Sequence, residues 1–190
     1  MPRIIGGCFR GRKLACPKGT VVRPTADMVK EALFGILGST VQGVLALDLY
    51  AGCGSLGLEA LSRGARECYF VDRSRACCDL IRKNLERMSL EGRASVMQLD
   101  CRRAIRLFSA RQMRFGLVLA DPPYRKQRNA RDEAKKILLA LDHYAILARS
   151  AIFVLEHFTG DTQEEEFTHL RCEERRRYGD TMLSFYESKS

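Results

Sequence analysis

The sequence predicts an α/β fold in which a mainly parallel sheet of seven strands is covered by helices on both faces. Three observations point there. Apolar runs of strand length alternate with stretches whose apolar residues recur at helical spacing. Acids stand at the ends of four of those runs, at Asp48, Asp72, Asp100 and Asp121. The last two strand candidates have no helix between them, so an antiparallel hairpin is expected at one edge of the sheet. With 190 residues, 46% of them hydrophobic, the chain has enough apolar surface for a single core.

In chain order, residues 1–24 are set apart by charge: Arg3, Arg10, Arg12, Lys13, Lys18 and Arg23 occur there with no acid among them. Arg3-Ile4-Ile5, followed by Gly6-Gly7 and Cys8-Phe9, predicts a short hairpin or irregular arm ahead of a main domain over 25–190. Thr25 is the expected N-cap of a helix through Val29, Ala32, Leu33, Ile36 and Leu37. Val44–Tyr50 predicts a buried strand, and Ser55–Arg63 a helix closed by Gly64. Cys68–Asp72 predicts the second strand, and Ala76, Leu80, Ile81, Leu85 and Met88 mark the next helix. Ala94–Asp100 and Phe115–Ala120 are the third and fourth strands, with a helix through Ile105 and Leu107 between them. A helix striped by Ile137, Leu138, Leu141 and Tyr144 leads to a fifth strand over Ala151–Glu156. The tail offers two more strands, around Phe167–Arg175 and Thr181–Ser188.

A net charge of +9 and a pI near 9.3 favour a polyanionic partner. No apolar run reaches the ~18 residues of a membrane span, and the opening residues lack a signal-peptide pattern. Nucleic acid is therefore preferred to a membrane, and the cytoplasm is the expected compartment. The eight cysteines contain no Cys-x-x-Cys pair and no histidine at ligand spacing, so no metal site is expected. In that compartment they are expected to be reduced thiols.

Ligands of such sheets bind at the carboxyl ends of the strands. There, Gly52-x-Gly54-x-x-Gly57 matches the dinucleotide fingerprint, with Asp72 about 20 residues further on. Asp48, closing the strand just before the turn, opposes a pyrophosphate by charge repulsion. A ligand with a sulfonium, an ammonium and a ribose but no phosphate meets no such obstacle, which points to S-adenosylmethionine. Asp72 would accept from the ribose hydroxyls, Asp100 from the adenine amino group, and the Cys101 N–H would meet a ring nitrogen. The other distinctive stretch is Asp121-Pro122-Pro123-Tyr124, an acid and two prolines that end an apolar strand beside an aromatic ring. Prolines fix the backbone and remove N–H donors, leaving a rigid acceptor site suited to a planar group that carries N–H.

The series Asp48-x-x-x-Gly52-x-Gly54, Asp72, Asp100 and Asp121-Pro-Pro-Tyr124 resembles a Rossmann-like class I S-adenosylmethionine-dependent methyltransferase. Arg3-Ile-Ile-Gly-Gly-x-Phe-Arg-Gly-Arg-Lys-Leu14, Arg23-Pro-Thr-x-Asp27, Lys30-Glu-Ala-Leu-Phe34 and Gly57-Leu-Glu-Ala-Leu-Ser-Arg-Gly-Ala65 are similar to the RsmD-type 16S ribosomal RNA guanine-N2 methyltransferases. The similarity runs from residue 3 to about 156, and Tyr50 and Cys53 depart from the Phe and small Ser or Thr expected there.

The resemblance implies a cofactor set of Asp48, Tyr50, Ala51, Gly52, Gly54, Gly57, Asp72, Arg73, Asp100 and Cys101. It implies an acceptor set of Asp121, Pro122, Pro123 and Tyr124, in which Asp121 and the Pro122 carbonyl hold the hydrogens of a base's exocyclic amine while Tyr124 stacks on the base. Arg3, Arg10, Arg12, Lys13, Arg23, Arg125 and Lys126 would meet RNA. The implied partner is 16S rRNA or an assembling small ribosomal subunit, engaged by a monomer. A DNA adenine-N6 methyltransferase would use the same acceptor residues, but the chain has no room for a separate base-reading domain. A cofactor-binding RNA chaperone without activity and a nicotinamide-dependent reductase are the readings from other classes.

Overall fold

A computed structural model describes residues 2–16, 24–123, 130–161 and 166–189. Its elements are α1 (Pro24–Leu37), β1 (Leu45–Leu49), α2 (Ser55–Ser62), β2 (Glu67–Asp72), α3 (Arg75–Glu86) and β3 (Ala94–Gln98). They continue with α4 (Cys101–Ala110), β4 (Phe115–Ala120), α5 (Ala130–Tyr144), β5 (Leu147–Phe158), β6 (Leu170–Tyr178) and β7 (Thr181–Ser188). The described strands form one seven-stranded sheet in the order β3-β2-β1-β4-β5-β7-β6. Strands β1 to β5 run parallel, and β7 is antiparallel to both β5 and β6. The predicted class and its edge hairpin are both present.

Strand alternation divides the core into two layers. Ala46 on β1 with Leu117 and Leu119 on β4 pack on one face, against Leu33, Leu58, Leu61 and Ile81. Leu47 and Leu49 with Val118 and Ala120 pack on the other, against Ile105, Phe108, Ile137 and Leu138. This period of two makes the central strands β4 and, Asp48 apart, β1 apolar throughout, as a sheet covered on both sides requires.

Several boundaries differ from expectation for local reasons. Helix α1 begins at Pro24, whose fixed φ and missing N–H suit a first helical position, so Thr25 lies inside the first turn and is not the N-cap. Strand β3 stops at Gln98, and Asp100 caps α4 by accepting from the N–H groups of Arg102 and Arg103. Strand β5 starts at Leu147, not Ala151. Ser150 there takes a φ of +58°, and the pairing with β4 shifts register, so no clean periodicity marks its first residues. Strand β6 lies at Leu170–Tyr178, later than predicted; its Arg and Glu residues on the sheet edge carry little apolar signal.

The basic arm is a hairpin folded onto the sheet domain. Ile4 N–H donates to the Arg12 carbonyl at 2.9 Å, and Leu14 N–H to Pro2 at 2.8 Å. Ile4 and Leu14 are wholly buried in the first core layer. The buried carboxylate of Glu59 on α2 accepts from Ile5 N–H at 2.9 Å and Gly6 N–H at 2.8 Å. The expectation that every cysteine is a free thiol is corrected here. Cys16, late in the arm, is disulfide-bonded to Cys53 in the turn after β1, while Cys8, Cys68, Cys77, Cys78, Cys101 and Cys172 are not disulfide-bonded. No spacing motif announces the pair, because it forms only once the arm has folded back over that turn. Among the described residues no helix is long and apolar enough to cross a membrane, and no cluster of ligating side chains could hold a metal ion.

Candidate active site

The chain leaves β1, turns through Tyr50–Gly54 and enters α2. Gly54 caps α2 with a φ of +81°, which L residues adopt only at a cost. Gly57 meets a different demand, since a Cβ there would lie 2.3 Å from the Phe70 ring and 2.8 Å from Cys68 Sγ on β2. It lets α2 lie close against the sheet, the role of the third fingerprint glycine. Tyr50 itself is in the left-handed region, at a φ of +58°.

Asp48 is buried beneath this turn, where its Oδ2 accepts from Gly57 N–H at 2.8 Å. Burial pushes its pKa up to about 7; the Gly57 hydrogen bond opposes the rise and the charge of Asp72 adds to it. A group so near neutrality is a weaker barrier to phosphate than the sequence suggests. The electrostatic preference comes instead from the acids that line the crevice.

That crevice is a cavity of about 260 Å³ walled by Tyr50, Asp72, Arg73, Leu99, Asp100, Cys101, Asp121, Pro123 and Glu133. It opens at the carboxyl ends of β1 and β4, where the strand order reverses, the expected ligand position of an open α/β sheet. Asp72 Oδ2 accepts from Gly52 N–H at 2.9 Å and its Oδ1 from Ser74 N–H at 2.8 Å, so two backbone donors fix the carboxylate. The Tyr50 hydroxyl donates to Glu133 Oε2 at 3.0 Å, and Lys136 reaches Glu133 Oε1 at the same distance. Burial, with Cys101 and Glu133 nearby, raises the Tyr50 pKa and keeps the hydroxyl protonated. Burial likewise pushes the Cys101 thiol up to about 12, so it contributes no thiolate.

Asp121 follows the last residue of β4. Its side chain opens onto the cavity and keeps solvent access, yet the crowding protein raises its pKa well above the ordinary carboxylate range, and Glu156 and Asp48 add to the rise. Water at the open face tempers the rise. Pro122 is buried and Pro123 is exposed on the cavity wall.

The crevice thus brings together Tyr50, Asp72, Arg73, Asp100, Cys101, Asp121 and Pro123 of the predicted sets. Asp48, Ala51, Gly52, Gly54 and Gly57 are not among its walls and shape it from behind. Tyr124, Arg125, Lys126 and Arg23 lie outside the described residues. Arg3, Arg10, Arg12 and Lys13 are exposed on the arm; Arg3 pairs with Asp27 at 3.2 Å, and Arg3 and Arg10 help line a second hollow of about 150 Å³. Sequence reasoning missed Leu99 and Glu133. The position of Leu99 just before the Asp100 cap was a usable signal. Glu133 gave none, since one acid on an amphipathic helix is ordinarily solvent-facing.

A seven-stranded sheet of this order, a glycine turn after β1 and an acid-lined crevice at the reversal point define a Rossmann-like methyltransferase of class I. Residues 2–187 match the model of the family described as conserved hypothetical protein 95. The chain belongs to this family, the RsmD-type methyltransferases. It is 35% identical to the YlbH protein of Bacillus subtilis over 98% of this chain and 99% of that one. It is 39% identical to ribosomal RNA small subunit methyltransferase D of Escherichia coli K12, over 65% of this chain and 61% of that protein. The solved structure of the yhhF protein of Escherichia coli superposes with a TM-score of 0.84 at 28% identity, covering 98% of this chain and 97% of that one. The family match extends through β6 and into β7, beyond the point near residue 156 where the motif resemblance ended.

Proposed function

We propose that the protein methylates the exocyclic N2 of one guanine in 16S ribosomal RNA, with the assembling small subunit as substrate. Family membership makes it an S-adenosylmethionine-dependent methyltransferase of small-subunit ribosomal RNA. The observation that carries the finer reading is the position of Asp121, at the carboxyl end of β4 on the wall of the cavity that Asp72 and Asp100 also line.

The residues present fit the cofactor. The cavity is rich in carboxylates, which suits a cationic ligand and disfavours phosphates. Asp72, held by Gly52 and Ser74, would take the ribose hydroxyls. Asp100 spends one oxygen on capping α4 and still faces the cavity, where with Cys101 it would meet the adenine. When bound, S-adenosylmethionine supplies a methyl group already activated by its sulfonium.

The protein's part is orientation. The Asp121 carboxylate and the Pro122 carbonyl would accept the two hydrogens of the guanine amine, drawing its lone pair out of conjugation with the ring. Asp121 would also take the proton the amine sheds, and its raised pKa suits it to hold that proton. The base must leave its stack to reach this recess, which is cheapest for an unpaired loop nucleotide.

The test is transfer of labelled methyl to unmethylated small subunits, bare 16S RNA and DNA, by wild type and by Asp121→Ala. Label should appear as N2-methylguanine in the subunits and fall roughly 10²–10³-fold in the variant, the usual cost of deleting one catalytic polar contact. Label in adenine, or a variant as active as wild type, would overturn the reading.

A further inference from the structure

Asn84, on α3, is polar and only 1% exposed. Its amide joins two segments distant in sequence. Nδ2 donates to the carbonyl of Ala15 at 2.9 Å and of Cys53 at 3.0 Å, while Oδ1 accepts from Ala15 N–H at 2.8 Å. Ala15 belongs to the basic arm, next to Cys16, and Cys53 belongs to the glycine turn. Lys30, on α1 and also buried, forms a second tie between the same regions. Its Nζ donates to the Arg3 carbonyl at 2.6 Å and to Ser55 Oγ at 2.9 Å, with Glu59 at 3.8 Å. The Cys16–Cys53 disulfide is the third tie.

All three ties land on Cys53–Ser55, at the entry to α2. The network then continues into the crevice, because Gly52, next to Cys53, donates its N–H to Asp72, and Asp72 lines the cavity. A buried asparagine with one backbone partner would be ordinary core structure. Here two buried polar side chains and a covalent bond bridge the same pair of segments. One of those segments carries Arg10, Arg12 and Lys13 on its exposed face, with no acidic partner among the described residues.

We propose that Asn84 and Lys30 are positioning residues that couple engagement of RNA phosphates by the arm to the seating of the cofactor turn. The proposal rests on the reading of the protein as an RNA methyltransferase. Phosphates that hold the arm still also remove freedom from the turn tied to it, so cofactor binds a site already ordered. Linkage makes the effect reciprocal: RNA tightens cofactor binding by the factor with which cofactor tightens RNA binding.

The experiment is equilibrium dialysis of labelled S-adenosylhomocysteine against the full chain, with and without unmethylated small subunits. It compares wild type, Asn84→Asp, Lys30→Met and Cys16→Ser. Asn84→Asp keeps the acceptor for Ala15 N–H and loses both donations. Lys30→Met keeps the volume and loses both bonds, and Cys16→Ser covers the case in which either of the others fails to fold. Subunits should tighten binding at least about fivefold in wild type, the lower end of ordinary coupling. That factor should fall to less than about twofold in Asn84→Asp and Lys30→Met, with a smaller loss in Cys16→Ser. A merely structural role would weaken both dialysis measurements alike and leave their ratio unchanged, and that result overturns the proposal. So does a wild-type ratio within about twofold of unity while methyl transfer proceeds. Coupling in wild type without methyl transfer would sustain the proposal and overturn the methyltransferase reading instead.

Discussion

The two sides of the glycine turn differ in charge and in how they are built. On the crevice side, Asp72, Asp100, Asp121 and Glu133 converge on one cavity. On the arm side, Arg3, Arg10, Arg12 and Lys13 are displayed on a hairpin whose apolar residues, Ile4 and Leu14, are sunk into the core. A chain of net charge +9 thus gathers four of its 23 acids at a cavity suited to a cation and displays four of its 32 bases on a surface suited to a polyanion. On the crevice side Asp72 is held by backbone amides, whereas the arm side is held by buried side chains from α1, α2 and α3. Backbone donors are enough to fix an acid of the pocket, while the arm is tied to the turn by buried side chains.

The largest expected effect tests the crevice side at its base. Asp48 ionises near pH 7 in the folded chain against 3.8 ordinarily. The folded state therefore holds a proton that the unfolded state has lost between those values. The associated stability is complete below about pH 4 and is lost as the pH rises toward 7. Asp48→Asn keeps an oxygen for Gly57 N–H and cannot ionise. The stability of the variant relative to wild type should be near zero at pH 4 and grow by up to about 4 kcal/mol at pH 8, in urea melts across that range. Parallel curves would mean that Asp48 is not perturbed and that the turn is not built over a reluctant carboxylate.

The next effect separates the two sides. Asp72→Asn removes the charge that the Gly52 and Ser74 amides orient toward the cavity. Cofactor affinity should fall roughly 10- to 100-fold, the worth of charge-assisted hydrogen bonds. RNA affinity measured without cofactor should be unchanged. Equal losses in both titrations would erase the division of labour and move Asp72 to a general structural role.

These tests follow what the sequence already displayed. Asp48, Gly52, Gly54, Gly57 and Asp72 are legible because a strand end, a tight turn and a helix start impose residue types at fixed spacing, and Asp121-Pro122-Pro123 is legible because prolines at a strand end are costly unless used. Glu133 and Asn84 were not legible, since their roles depend on which helix face meets which distant segment, and neither residue type breaks a helical pattern. The Cys16–Cys53 pair was hidden for the same reason, as its members meet only after the arm has closed. The onset of β5 was masked by its own irregular backbone at Ser150.

The smallest expected effect sharpens the arm side. Arg10 and Arg12 are exposed, and removing both side chains touches none of the buried contacts that anchor the hairpin, since Ile4 bonds the Arg12 carbonyl and not its guanidinium. Stability should therefore stay within about 0.5 kcal/mol of wild type. If each guanidinium meets one phosphate, the double variant Arg10→Ala/Arg12→Ala should bind small-subunit RNA roughly tenfold more weakly at moderate salt. Its plot of log affinity against log salt should be shallower by about 1.5, since each lost phosphate contact contributes roughly 0.7–0.9. The slope discriminates better than the affinity, because a general loosening of the fold weakens binding without changing how many counterions are released. An unchanged slope would make the exposed bases of the arm a solvated edge, and the contrast between the two sides of the turn would be one of architecture alone.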